Sequence, residues 1–437
     1  MTESRSTNQG GRASAMKRLL MVAYHFPPLA GSSGIQRTLR FMQQLPDHGW
    51  DPVVLTTHER AYERTSNDLL AEVPASVPVR RALALDAARH LSWRGRYIGA
   101  TARPDRWVSW KLDGVRQGLQ MIREYRPSVL WSTYPIATAH LIGLQLARRS
   151  GLPWVADFRD PMAQPGYPED PATRASFTQL ERDVFEHAAG CVFTTPGAAQ
   201  EYRLRFPAHA SKVFVIENGF DEETFSQAQA LQRAGPLRLQ GTTWLHSGII
   251  YPNERDPAPL IAALGRLKRS GVLAAHGFVL RFRAAVAEDL LRRLAVQHDV
   301  AEHIEILPPV GYREALAEML RADALVVMQA SNCNQQIPAK LYEYLRSGRP
   351  IMGLTDPAGD TAGVLRGAGV DSICALDDED GLVKFVATML AGGPGLPSAL
   401  PNTAAVSGAS RAARTRQLAT LMDALTARTG APSSCAA

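Results

Sequence analysis

The chain of 437 residues has only four cysteines, Cys191, Cys333, Cys374 and Cys435, and no two are spaced as C-x-x-C. Thiols scattered in this way argue against a disulfide framework or a cysteine zinc site and fit a reducing compartment. No apolar run approaches the ~18 residues that a membrane span requires. The opening stretch MTESRSTNQGGRASA lacks the apolar core of a secretory signal and reads as a disordered tail over residues 1–15. Long blocks of one charge are missing as well. With 48 Lys and Arg against 42 Asp and Glu, the net charge is +6, and it is spread along the chain. That balance favours anionic small ligands or anionic lipid and argues against nucleic acid. No G-x-G-x-x-G opens a helix after an apolar strand, so a nicotinamide-dinucleotide fingerprint is absent.

What is present is a series of short apolar, β-branched runs separated by helix-length amphipathic stretches. In the first half they are Lys17–Tyr24, Val53–Thr57, Val129–Thr133, Trp154–Phe158, Cys191–Thr195 and Val213–Ile216. In the second they are Thr243–His246, Phe278–Phe282, Ile304–Leu307, Ala324–Met328, Pro350–Leu354 and Ile373–Leu376. Continuously apolar strands alternating with helices imply parallel sheets covered on both faces, here six strands and six. The polar stretch Asp221–Gln240 reads as the boundary between a domain over 16–225 and one over 236–405. A final helix near Gly408–Ala427 and a tail complete residues 406–437. Two doubly wound α/β domains of Rossmann type, facing a cleft, place ligand-binding residues just after the strands.

Four loops there carry candidate chemistry. After the first strand, Gly31 and Gly34 let backbone amides approach an anion at a helix start, or simply make a flexible turn. After the fourth, Asp157, Arg159 and Asp160 either pair to close the loop or contact substrate, since charges beside a buried strand need partners. In the second half, Gly248 ends the first strand and Arg255 precedes the next helix, a pairing suited to a diphosphate. The segment Gln335-Gln336-Ile337-Pro338-Ala339-Lys340-Leu341-Tyr342-Glu343 is the richest. Pro338 suits a helix start, and Lys340 and Glu343 share one helical face, as a phosphate cation with a ribose-binding carboxylate or as an ordinary ion pair.

Taken together, FPPLAGSSGIQR near the start, DFRDP in mid-domain, Asn218-Gly219-Phe220-Asp221 and the late IPAKLYEYLRSGRP resemble the retaining glycosyltransferases of family four, especially exopolysaccharide and capsule members. The resemblance runs from about Met16 to Leu390. It implies the GT-B fold, an acceptor domain followed by a donor domain, and a nucleotide-diphosphate sugar (UDP- or GDP-linked) used without metal or other cofactor. Glu343 falls on the second glutamate of the family's E-x7-E motif, which binds ribose. Gln335 stands where the first glutamate contacts the donor sugar. Arg255 matches one of two diphosphate cations, Ile249 stands where the other is expected, and Ile337 and Gly248 line the same loops. Arg159 occupies the place of a frequent histidine.

The expected reaction is sugar transfer with retention to a hydroxyl of a sugar or lipid-linked acceptor in polysaccharide or glycoconjugate synthesis. Arg255, Lys340, Asp157, Arg159 and Asp160 are the candidates for the chemistry. The expected location is the cytoplasm, at or near the inner membrane face. Two other readings stay open. One is a nucleotide-sugar epimerase of related fold. The other is a membrane-surface protein, suggested by Arg89, Arg94, Arg96, Arg103 and Arg106 mixed with Trp93, Trp107 and Trp110.

Overall fold

The computed structural model describes residues 16–32, 34–92, 94, 99–231, 236–237 and 240–430. Thirteen strands form two sheets among these residues. The first contains β1 (Lys17–Val22), β2 (Trp50–Thr57), β3 (Val79–Ala82), β4 (Val129–Thr133), β5 (Trp154–Arg159), β6 (Gly190–Phe193) and β7 (Val213–Val215), in the order β3-β2-β1-β4-β5-β6-β7. The second contains β8 (Thr243–Ser247), β9 (Val279–Arg283), β10 (Ile304–Leu307), β11 (Ala324–Gln329), β12 (Ile351–Thr355) and β13 (Ile373–Cys374), in the order β10-β9-β8-β11-β12-β13.

Neighbouring strands run parallel, with Leu20 of β1 level with both Val53 and Leu130, and Leu245 of β8 level with Arg281 and Leu325. The central strands are buried on both faces, which is why they read as unbroken apolar runs. In the second sheet, one face packs Leu260, Leu264 and Leu291 over Leu280 and Val326, while the other packs Leu316, Leu341 and Tyr344 over Leu245 and Val327. Both sheets reverse their strand order once, between β1 and β4 and between β8 and β11. Loops leaving β1, β4, β8 and β11 therefore part at these points and open crevices.

Two features differ from the expectation. The first sheet has a seventh strand, β3, whose sequence Val-Arg-Arg-Ala lies at the sheet edge and stays half-exposed, so it carries no apolar run. The boundary stretch contains the helix Glu222–Leu231, and its Phe225 and Ala228 are fully buried in the core of the second sheet. One compact unit holds the described residues up to 157, 162–191 and from 418 on. The other holds 158–161 and 192–417. In the first, the last helix is tied down by Asp423, which accepts from Lys17 Nζ at 2.8 Å and Trp50 Nε1 at 3.1 Å.

Helix ends follow local chemistry. Pro171 and Pro196 each open a helix after a capping residue: Asp170 accepts from Thr173 N at 3.0 Å and Thr195 accepts from Ala198 N at 3.2 Å. Gly151 and Gly348 close helices in the left-handed conformation.

Candidate functional site

The β8–β11 crevice gathers most of the second-half candidates. β8 ends His246-Ser247-Gly248, and Ser247 N donates to the Tyr344 hydroxyl at 2.9 Å, which ties the strand end to the helix Lys340–Ser347. Gly248 has φ +129°, and a Cβ there would collide with the ammonium of Lys340. Glycine is therefore favoured by the backbone, and any side chain there would displace the lysine tip. Lys340 is the first residue of its helix, so its ammonium is carried at the positive end of the helix dipole, which suits an anion.

Lys340 Nζ lies 3.4 Å from Nε2 of His246, a fully buried ring whose Nδ1 is 2.9 Å from the Val326 carbonyl. A carbonyl only accepts, so Nδ1 holds the hydrogen and Nε2 presents its lone pair to the lysine. Burial, with Lys340 beside it, holds the imidazole well below its usual range. Burial, then the charge of Arg255, brings Lys340 down to about 7. The lysine thus loses most of its charge in mildly alkaline solution unless an anion binds.

One turn on, Glu343 Oε1 accepts from the Tyr312 hydroxyl at 2.6 Å. Burial raises this carboxyl, while the Tyr312 hydrogen bond and the charges of Arg411 and Lys340 pull the other way. Burial and Glu343 push the Tyr312 phenol up. Tyr312 thus remains a donor and engages Oε1 of the carboxylate.

Arg255 donates to the Ile249 carbonyl at 2.8 Å, and its guanidinium lies 5.1 Å from the centroid of Tyr251. The loop thus folds Arg255 back over the position that lacks a cation. Gln335 exposes its side chain while its carbonyl accepts from Thr195 Oγ1 at 2.7 Å, and Ile337 turns into the core.

In the first sheet the candidates divide. Asp157 is fully buried, and its carboxylate receives Arg37 Nε at 2.9 Å, Arg37 Nη2 at 2.8 Å and Thr133 Oγ1 at 2.9 Å. Its partner is thus Arg37, on the helix Gly34–Gln44, rather than Arg159, and the carboxylate braces the β1 and β4 loops. Arg159, at φ +63°, ends β5 with its carbonyl accepting from Thr194 N and Oγ1, and Asp160 is exposed on the rim. Gly31 is exposed at φ +80°. Gly34 begins its helix and donates to Ser32 Oγ, whose other contact is His25 Nδ1 at 3.0 Å.

The Arg/Trp segment is mostly engaged internally. Trp110 is buried, Trp107 packs 4.7 Å from the Tyr24 ring, and Arg106 pairs with Asp86 and Glu63. Arg89 donates to the Tyr62 carbonyl and Arg103 lies 3.5 Å from Asp170. Arg94 is exposed, and Trp93 and Arg96 lie outside the described residues. Among the described residues no helix is long and apolar enough to cross a membrane.

Sequence reading missed His246 and Tyr312. His246 sits inside an apolar strand, and Tyr312 is 31 residues from the carboxylate it holds. Neither has a local pattern.

Comparison with known proteins bears on both halves. The glycosyl transferase 4-like domain family matches residues 33–219. No curated protein matches the chain in sequence. Among solved structures, HepE of Anabaena in complex with UDP superposes with a TM-score of 0.59 at 13% identity, over 95% of this chain and 98% of its own. Sucrose-phosphate synthase of Thermosynechococcus elongatus gives 0.58 at 12% identity, over 95% and 97%. UDP-GlcNAc 2-epimerase of Methanocaldococcus jannaschii gives 0.53 at 12% identity, over 92% and 99%. The chain thus has the two-domain GT-B fold, with a region similar to the glycosyl transferase 4-like domain at residues 33–219.

Proposed function

We propose that the protein is a glycosyltransferase that takes a sugar from a nucleotide-diphosphate donor and passes it, with retention, to an acceptor hydroxyl. The observation that carries this reading is the constellation at the β8–β11 crevice: a glycine-floored ammonium at a helix start and, on the same helix, a tyrosine-held carboxylate. A diphosphate takes Lys340 and Arg255 at the positive end of the helix Lys340–Ser347, while vicinal ribose hydroxyls donate to Glu343 Oε2. The match to a glycosyl transferase 4-like domain over residues 33–219 supports transfer. So does the UDP-glucose complex of HepE, a protein of the same fold.

In this scheme the work of the site is electrostatic: cations and the helix dipole stabilise the departing diphosphate, and no metal is needed. The acceptor hydroxyl attacks from the face the diphosphate leaves, and a phosphate oxygen takes its proton. Gln335 and Arg159 contact the donor sugar, and Asp160 orients the acceptor. The acceptor is a sugar or a lipid-linked sugar of a glycoconjugate pathway inside the cell.

The ribose assignment is tested by calorimetric titration of UDP and GDP into wild type and Glu343→Ala. A charged hydrogen bond is worth about 1.5–3 kcal/mol, so the variant loses roughly 10- to 100-fold in affinity and no longer distinguishes ribose from 2′-deoxyribose. Tyr312→Phe, which keeps the carboxylate, loses less. Unchanged affinity in Glu343→Ala removes the carboxylate from the nucleotide site.

A further inference from the structure

The segment after β3 leaves apolar side chains in solvent beside the start of the helix Trp110–Tyr125. Leu83, Leu85 and Leu112 are 61%, 43% and 78% exposed. Leu83 N donates to Asp113 Oδ2 at 2.8 Å, and Leu85 exchanges two hydrogen bonds with Ser109 Oγ at 2.8 and 2.9 Å. Residues 83–85 are thereby strapped across the start of the helix Trp110–Tyr125, where Leu112 projects. Single exposed leucines are ordinary on a protein surface, but three around the start of one helix concentrate apolar area there.

Cations flank this patch. A groove of about 400 Å³ between the helices Trp110–Tyr125 and Thr138–Ser150 is lined by Lys111, Arg116, Arg123 and Arg149 beside Leu112 and Leu119, and no carboxylate of the described residues lines it. The adjoining acid, Asp113, is already engaged by Leu83 N and Arg116 Nε. With Arg116 held by Asp113, the cations Lys111, Arg123 and Arg149 and an apolar wedge match the two layers of a bilayer surface, phosphates outside and acyl chains beneath. A free phosphate leaves the leucines unused.

We propose that this face docks on an anionic phospholipid surface, with Leu83, Leu85 and Leu112 entering the headgroup boundary and Lys111, Arg123 and Arg149 meeting lipid phosphates. The proposal does not depend on the transferase reading, because none of these residues belongs to the β8–β11 site. It moves the membrane contact away from Arg89, Arg103, Arg106 and Trp110, which are occupied within the domain.

The test is co-sedimentation of the full chain with two kinds of vesicle, pure phosphatidylcholine and phosphatidylcholine mixed equally with phosphatidylglycerol. Wild type is expected to sediment with the mixed vesicles, to be released by salt, and to ignore the neutral ones. Each basic residue near an anionic surface contributes about five-fold, so combined Lys111→Glu, Arg123→Glu and Arg149→Glu lowers partitioning by at least a hundred-fold, on the order of the three factors multiplied. Leu83→Asp with Leu112→Asp also weakens binding. Both variants keep the wild-type melting temperature, since every altered side chain is on the surface. Failure of wild type to sediment, equal binding to neutral vesicles, or variants that bind like wild type would overturn the proposal. So would self-association abolished by Leu112→Asp, which assigns the face to a second copy. Equal affinity for soluble polyglutamate would likewise assign it to an acidic protein.

Discussion

Replacing Lys340 with methionine is expected to lower kcat/KM by about 10²–10³-fold, the usual cost of deleting one preorganised donor that faces developing charge. Methionine keeps the unbranched stem and loses the terminal ammonium, so the effect is mainly electrostatic rather than a packing loss. Lys340 is also expected to set the pH dependence of donor binding. Its folded pKa lies at about 7, far below the ordinary lysine value, because burial and Arg255 disfavour the charged form. A bound diphosphate reverses that preference and raises the pKa.

Donor affinity is therefore level below pH 7 and falls as pH rises above it, because binding must then return a proton to the lysine. His246 does not supply this slope, since it is held neutral throughout the range. A nucleotide sugar is the ligand to use, because its diphosphate bridge does not ionise near neutrality. Calorimetry at pH 8 in two buffers of different ionisation enthalpy reads the uptake directly, with about one proton per donor bound expected in wild type and none in Lys340→Met. Equal proton uptake in the two proteins would remove Lys340 from the diphosphate site.

The second large effect is on stability. Asp157 and Arg37 form a bidentate pair with almost no exposure, their side chains 0% and 4% accessible. Removing the carboxylate strands a buried guanidinium without its principal counter-charge, at a cost of about 3–5 kcal/mol. Asp157→Ala should lose that much in urea unfolding, whereas the double change Asp157→Leu with Arg37→Met should lose less than either single change alone, since no buried charge is left over. A loss under about 1 kcal/mol in Asp157→Ala, together with a fall in turnover, would return Asp157 to the substrate and refute its bracing role.

These two residues also show how far the sequence carries. Lys340 and Glu343 were legible because a helix repeats every 3.6 residues and their spacing puts both on one face. Gly248 was legible because it ends an apolar strand. The partner of Asp157 was not, because Arg37 is 120 residues away and no local pattern joins them. Nearby Arg159 was the partner the sequence suggested, yet its left-handed backbone sits at the loop turn after β5. β3 escaped notice because an edge strand with two arginines has no apolar signature. The helix Glu222–Leu231 was hidden by its polar, solvent-facing side, with only Thr224, Phe225 and Ala228 turned inward. Periodicity therefore exposed the elements and the one-helix part of the site, while contacts between distant segments came only with the fold.

The central claim is that a sugar leaves its nucleotide and joins an acceptor. Epimerases share this fold, so nucleotide binding alone does not decide between the two reactions. The direct measurement is proton NMR of the full chain incubated with individual nucleotide sugars and a panel of sugar and lipid-linked acceptors. The account predicts, for one donor, release of nucleoside diphosphate and a new glycosidic signal of the donor's own anomeric configuration, both lost in Lys340→Met. An isomerised nucleotide sugar with no released diphosphate, formed whether or not acceptor is present, would contradict it.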